Sequence, residues 1–200
     1  MIEITTDIIE AVAKDFEKID SAYRFDYELF KISSMENKLT PPVTPILWST
    51  LIGEKRILSV EELVEKVKSH PDFFCGKIEN VDADKCLYAR CRQFWTGFLR
   101  ELDFVIKLKK EDRIGKVYKD IYKDLGLGGI DIVYINKWDT RFDFSIKMKG
   151  GRVCESREKR KKSKTDCSVT PVFIKAADRY SLAKVESDIV RGYVEYRKCN

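Results

Sequence analysis

The strongest constraint on the fold of this chain is a change in the spacing of its apolar residues. From Asp82 to Lys110 apolar residues recur every three or four positions, which predicts one amphipathic helix, the longest in the protein. After this helix the apolar residues alternate with polar ones, which is typical of strands. Three strands are predicted in succession, at 115–125, 129–135 and 141–149, with the turn compositions GLGG and NKWDT between them. The sequence therefore predicts an α/β fold.

The C-terminal part continues this mixture of helix and strand. A basic stretch with a short helix leads to an apolar segment, 168–176, that predicts a fourth strand, and a closing helix follows with Asp178 as its expected cap. From residue 82 the predicted order is α-β-β-β-α-β-α.

The N-terminal part has a helical pattern. Residues 6–31 predict one or two amphipathic helices with Thr6 or Asp7 as the N-cap. The segment LTPPVTPILWSTLIG contains three prolines, and we interpret it as a connection. Ser59 and Glu62 form the spacing of a capping box, which predicts a short helix that ends before Pro71. We therefore expect a helical accessory region at 1–81 and the main domain at 82–200.

Composition favours a soluble globular protein. Hydrophobic residues make up 44% and charged residues 36% of the 200 positions, and no apolar run approaches the roughly 20 residues that span a bilayer. We expect a cytoplasmic protein with no membrane partner. The six cysteines show no CxxC pair and His70 is the single histidine, so we expect buried thiols rather than a structural zinc site.

A basic run is the most uneven feature of the charge distribution. The net charge is +5 with a pI near 8.8, which by itself decides little. Two interpretations of the run remain open: a solvated surface, or a patch that contacts nucleic-acid phosphates. Its cationic residues are Arg157, Lys159, Arg160, Lys161, Lys162 and Lys164.

The strands at 129–135 and 141–149 contain polar residues that an ordinary apolar hairpin does not need. Alternation places Phe142 and Phe144 on one face and Asp143 and Lys147 on the other, while Asp131 stands among apolar neighbours. Two carboxylates brought close together across a hairpin repel, and Mg²⁺ or Mn²⁺ relieves that repulsion by accepting oxygen ligands. An ordinary alternative is a surface strand in which Asp131 pairs with Arg141 or a lysine.

The element order from residue 82, together with GGID and FSIK, resembles the PD-(D/E)XK nuclease superfamily over about residues 82–197. This resemblance implies a restriction-endonuclease-like core, a mixed sheet flanked by helices. It matches Asp131 to the family's acid at the start of the second core strand and Lys147 to its catalytic lysine. Ser145 stands where the family has its second acid, and Asp143 is the candidate to replace it.

The resemblance also implies a role for a glutamate on the first core helix, which here is Glu101. Asp131, Asp143 and Glu101 are the expected metal ligands, and Lys147 is the expected catalytic lysine. The expected activity is Mg²⁺-dependent hydrolysis of phosphodiester bonds, in DNA, with residues 1–81 available for a homodimer or a partner protein.

Two other functions remain open. One is a catalytically degenerate member of the same fold that binds nucleic acid or takes part in an assembly. The other is an α/β structural or assembly subunit whose charges are only solvated.

Overall fold

The computed structural model describes residues 1–19, 42–71, 83–111, 113–119, 131–149 and 169–175. These residues form an α/β structure. Its helices are α1 (Thr6–Lys18), α2 (Val43–Glu54), α3 (Val60–Lys68) and α4 (Ala83–Glu111). Its strands are β1 (Ile2–Glu3), β2 (Lys116–Lys119), β3 (Ile132–Ile135), β4 (Arg141–Lys149) and β5 (Val169–Lys175).

The strands form one mixed sheet in the order β1-β2-β3-β4-β5. The pairs β1–β2, β2–β3 and β3–β4 are antiparallel, whereas β5 runs parallel to β4. The predicted hairpin of β3 and β4 is confirmed, and β4 has the predicted bounds. A parallel partner requires a crossover connection between β4 and β5, and that connection lies outside the described residues.

Helix α4 covers one face of the sheet. It is 29 residues long, and its apolar stripe includes Phe98, Leu102 and Val105. The ring of Phe104 meets the ring of Phe144 edge to face, with 5.0 Å between centroids, so this helix packs directly on β4. The long amphipathic helix and the sheet that follows it in the chain are therefore two layers of the same core, as the change of apolar spacing predicts.

The N-terminal helices α1, α2 and α3 pack against α4. The capping box of α3 is confirmed: the Ser59 hydroxyl accepts from the backbone N–H of Glu62, and the Glu62 carboxylate accepts from the backbone N–H of Ser59. The N-cap of α1 is Thr5, so the expected Thr6 or Asp7 was wrong by one or two positions. The continuation of α1 expected up to residue 31 falls outside the described residues from residue 20 onward.

The interpretation of 39–53 as a connection was wrong, because Val43–Glu54 is helix α2. Pro42 is its N-cap and Pro45 its third residue, and the first turn of a helix has no intrahelical acceptor for the N–H that proline lacks. This helix is buried on several sides, with Trp48 and Leu51 fully inaccessible to solvent. It therefore lacks the polar face that sequence periodicity detects.

The predicted boundary between residues 81 and 82 does not coincide with a break in the core. Strand β1 adds to the sheet edge through Ile2 opposite Lys119 and Glu3 opposite Tyr118. Apolar residues of α1, α2 and α3 belong to the same hydrophobic cluster as α4 and the sheet. The described part of residues 1–81 is thus built into the same core as the strands. No helix in the described ranges is long and apolar enough to cross a membrane.

Candidate functional site

The register of the β3–β4 hairpin fixes which face each hairpin residue occupies. Ile132 lies opposite Phe144 and Tyr134 opposite Phe142, and these four residues face α4. Val133 lies opposite Asp143, and the alternation of side chains places this pair on the far side of the sheet. The predicted assignment of Phe142 and Phe144 to the core face is confirmed.

Asp131 lies one residue before β3 and is partly buried. Its backbone N–H donates to the carbonyl oxygen of Phe144 at 2.8 Å, which ties it to β4. Asp131 lies two residues before Val133 and therefore faces the same side of the sheet as Asp143. It is the diagonal neighbour of Asp143 across the two strands. Diagonal neighbours have Cβ atoms about 7–8 Å apart or less. The hairpin therefore brings the two predicted carboxylate positions together on the side of the sheet away from α4.

The carboxylate of Asp143 is engaged by Arg141, two residues earlier on β4. The Nε of Arg141 donates to Oδ1 at 2.8 Å and Nη2 donates to Oδ2 at 3.2 Å. The Asp143 side chain is 13% exposed and that of Arg141 is 54% exposed, so the ion pair joins a largely buried carboxylate to an exposed guanidinium. Hydrogen bonding to the carboxylate raises the pKa of Arg141. A cation that binds Asp143 must compete with this guanidinium.

Glu101 lies on the opposite side of the sheet from Asp143. Its Oε2 is 2.8 Å from the Nζ of Lys119 on β2, and the Lys119 side chain is only 1% exposed. Lys119 shares the face of Val117, which lies opposite the core residue Tyr134. The structure therefore does not bring Glu101 to the two hairpin aspartates, and it places this glutamate in a buried ion pair between α4 and β2.

The remaining predicted site residues are described in part or not at all. The structure gives the backbone of Ser145 and Lys147, which pair with Pro171 and Phe173 of β5, and it does not describe their side chains. The position of the lysine amine therefore stays a prediction. The basic run at 156–164 lies outside the described residues, as do the expected short helix and the closing helix.

The two hairpin carboxylates, Asp131 and Asp143, can be compared with the set of oxygen ligands that a divalent cation needs. No group of three or more His, Cys, Asp or Glu side chains that could hold a metal occurs in the described ranges. Mg²⁺, however, is commonly held by one or two carboxylates and completed by water and substrate phosphates. Asp131 and Asp143 fit that smaller donor set, with Arg141 as the competing partner of Asp143.

Two buried cysteines lie on α4. Cys86 and Cys91 are both fully inaccessible to solvent, and burial raises the pKa of the Cys91 thiol to about 12. A thiol of this kind does not act as a nucleophile at neutral pH, because the thiolate is the reactive form.

The buried position of Lys119 and its pairing with Glu101 were not expected from the sequence. In the segment KVYK it alternates with Tyr118 and shares a face with Val117, so period-2 spacing already placed it on the apolar face. A lysine on a core face needs a compensating acid. That requirement could have linked it to an acidic residue on the preceding helix.

Comparison of the chain with family models, with curated proteins and with solved structures found no match of any of the three kinds.

Proposed function

We propose that this protein is a divalent-metal-dependent nuclease of the PD-(D/E)XK type that hydrolyses phosphodiester bonds in DNA. The observation that carries the proposal is the register of the β3–β4 hairpin. It sets Asp131 and Asp143 as diagonal neighbours on the sheet face opposite to the one that α4 packs against. The order of one long helix, three antiparallel strands and a fourth strand parallel to the third supports the same fold class.

Each residue has a distinct part in this proposal. Asp131 and Asp143 contribute carboxylate oxygens to a Mg²⁺ or Mn²⁺ ion, which when bound polarises the phosphate and lowers the pKa of a bound water. Lys147, on the face that alternation predicts for it, stabilises negative charge that develops on the phosphate. Glu101 has no place among the ligands in this arrangement, because the sheet separates it from Asp143.

A second candidate is a nucleic-acid-binding protein that has lost the metal site. The ion pair between Arg141 and Asp143 favours it, because it already neutralises one of the two carboxylates. The serine at position 145 favours it as well, since it stands where the family pattern has an acid. Such a protein would bind nucleic acid in the presence of a chelator, with a steep dependence on salt.

The decisive experiment is degradation of single-stranded and double-stranded DNA and RNA with Mg²⁺, with Mn²⁺ and with EDTA. We expect the wild-type protein to cut DNA only with a divalent ion. The Asp131→Asn and Lys147→Ala variants should lose activity by at least about a hundredfold, the cost of removing one group that stabilises the transition state.

Asp139→Asn is the matched control, because it makes the same chemical change in the turn of the same hairpin. Asp139 has a backbone φ of 60°, a left-handed conformation that asparagine also adopts readily. This variant should retain metal-dependent cleavage of DNA. Absence of metal-dependent cleavage by the folded wild-type protein, or full activity of Asp131→Asn, would refute the nuclease proposal.

A further inference from the structure

One end of the sheet presents exposed apolar and cationic side chains together. The loop 113–115 enters β2 at Lys116, and the turn 136–140 joins β3 to β4. Lys116 and Arg141 both lie in register with Ile135, so the loop and the turn leave the sheet at the same end. We call this surface the basic tip. It consists of Arg113, Ile114, Lys116, Lys137, Trp138 and Arg141, all exposed.

Trp138 is the central feature of the basic tip. Its side chain is 53% exposed, whereas Trp48 and Trp95 are 0% and 7% exposed. Ile114 is 76% exposed at the same end of the sheet. A single exposed apolar residue is ordinary, but two of them flanked by cations form a surface with the mixed character of a nucleic-acid contact.

The turn that carries Trp138 is held rigidly. The side chain of Asn136 is buried, and its Oδ1 accepts from the backbone N–H groups of Trp138 and Thr140, each at 2.9 Å. The backbone N–H of Asn136 donates to the carbonyl oxygen of Thr140 at 3.0 Å, and the N–H of Asp139 donates to that of Asn136 at 3.0 Å. A turn fixed in this way presents its tryptophan without a large ordering cost on binding.

Lys137 occupies one side of the tryptophan ring. Its Nζ lies 4.4 Å from the ring centroid, within the range of a cation–π contact, and this contact orients the indole.

The charges at this end of the sheet favour an anionic partner. Arg113, Lys116 and Lys137 are exposed cations, Arg141 is engaged with Asp143, and Asp139 is the exposed acid of the turn. The start of α1 lies beside this surface, because the Thr6 hydroxyl is 3.5 Å from the carbonyl oxygen of Arg113. The acid there, Asp7, forms an ion pair with Lys55 at 2.6 Å, which neutralises its charge. The described surface around Trp138 is thus net positive.

We infer that the basic tip binds single-stranded DNA, with a base stacked on Trp138 and phosphates contacted by Lys116, Lys137 and Arg113. A single strand is the form of DNA that fits, because an indole can stack only on a base whose flat face is exposed. Binding at the tip does not require catalysis.

The placement of the tip relative to the cut rests on the proposed nuclease function. Asp131 precedes β3, the tip follows it, and a four-residue strand spans about 13 Å. The tip would therefore hold the DNA a few nucleotides from the scissile phosphate.

The test is titration of the full-length protein with a short oligothymidylate in EDTA, which stops metal-dependent cleavage. Tryptophan fluorescence and anisotropy of a labelled strand are both recorded. We expect binding to quench the fluorescence, because the exposed Trp138 is the residue that stacks. Trp138→Leu, which keeps an apolar side chain without an aromatic face, should weaken binding about tenfold. Trp138→Phe should bind within about twofold of wild type and should lose the quenching.

Charge variants separate phosphate contact from stacking. Lys116→Gln should lower the slope of log Kd against log salt by about 0.7, the value for one phosphate contact on a single strand. Trp138→Leu should leave that slope unchanged. Lys14→Gln, an exposed lysine on α1, is the matched control and should bind like wild type.

Several outcomes would overturn the inference. Equal binding by Trp138→Leu and wild type would exclude stacking at the tip, and quenching that survives in Trp138→Phe would assign the signal to a buried tryptophan. A change of oligomeric state in Trp138→Leu, measured by light scattering, without a change in DNA binding would identify the tip as a protein contact. The Asp131→Asn variant should bind the strand normally, so loss of cleavage and loss of tip binding are distinguishable.

Discussion

The buried ion pair between Glu101 and Lys119 provides the sharpest test of how α4 is held on the sheet. Lys119 is 1% exposed and Glu101 is 15% exposed, and the Lys119 amine also lies 5.6 Å from the centroid of the Trp48 ring. Glu101→Gln leaves this ammonium beside an uncharged amide in a site that water scarcely reaches. Removing one member of a buried pair costs about 3–5 kcal/mol, a large part of the roughly 5–15 kcal/mol that stabilises a typical domain.

The predicted cost differs between the two members of the pair. Lys119→Met should cost about 3 kcal/mol, at the low end of the range, because the partly exposed Glu101 carboxylate can gain some hydration. The double variant Glu101→Leu, Lys119→Met removes both charges and should be about as stable as the wild type, or more stable. For a chain of this length, a change of 1 kcal/mol shifts the Tm by about 2–4 °C, so Glu101→Gln should melt about 10 °C lower.

Urea denaturation of the wild type, both single variants and the double variant measures these free energies of unfolding. The reasoning fails if Glu101→Gln costs less than about 1 kcal/mol, or if the double variant is destabilised as much as either single variant. The same set bears on the expected role of Glu101 as a metal ligand. If Glu101 is a metal ligand, Glu101→Gln should reduce the amount by which Mg²⁺ stabilises the folded protein. If Glu101 only pairs with Lys119, the stabilisation by Mg²⁺ should be the same in the variant and the wild type.

Three further predictions concern local features of the helices. Ser59→Ala removes the hydroxyl that caps α3 and should lower the free energy of unfolding by about 1 kcal/mol, measured by urea denaturation with the exposed Ser69→Ala as the comparison. Hydrogen bonds from the backbone N–H of Ser59 and then from Arg56 lower the pKa of Glu62 in the folded state. The ionised Glu62 therefore stabilises the fold above its unfolded pKa, and this stabilisation is lost as the pH falls through the lower folded pKa. Glu62→Gln should therefore destabilise the protein at neutral pH, and the difference from wild type should close in acid. Cys91, buried with its pKa raised to about 12, should resist alkylation at pH 8 in the native protein and react on unfolding; rapid native labelling of its peptide by mass spectrometry would contradict this.

Elements whose signals are local were predictable from the sequence. The capping box of α3 depends on two residues three positions apart, and the alternation in β4 depends only on its own side chains. Both were confirmed, as was the long helix α4. The face of Asp143 followed from the same alternation, because a strand that buries Phe142 and Phe144 must turn Asp143 to the other side.

Features that depend on distant partners were not predictable in this way. Helix α2 was missed because its prolines resemble helix breakers until their place in the first turn is known, and because a helix buried on several sides has no apolar stripe. The position of Glu101 was expected from its neighbours along α4, but its environment is set by Lys119, which lies in a strand. The guanidinium that pairs with Asp143 belongs to Arg141 of the same strand, yet the sequence does not show which acid Arg141 pairs with.

The shortest strand has a consequence for how the protein is made on the ribosome. Ile2 pairs with Lys119, so β1 can join the sheet only after β2 has been synthesised and has left the exit tunnel. Until α4 has emerged as well, the apolar sides of α1 and α2 lack part of the core that they contact in the folded chain. A nascent chain stalled before α4 would expose this apolar surface to chaperones.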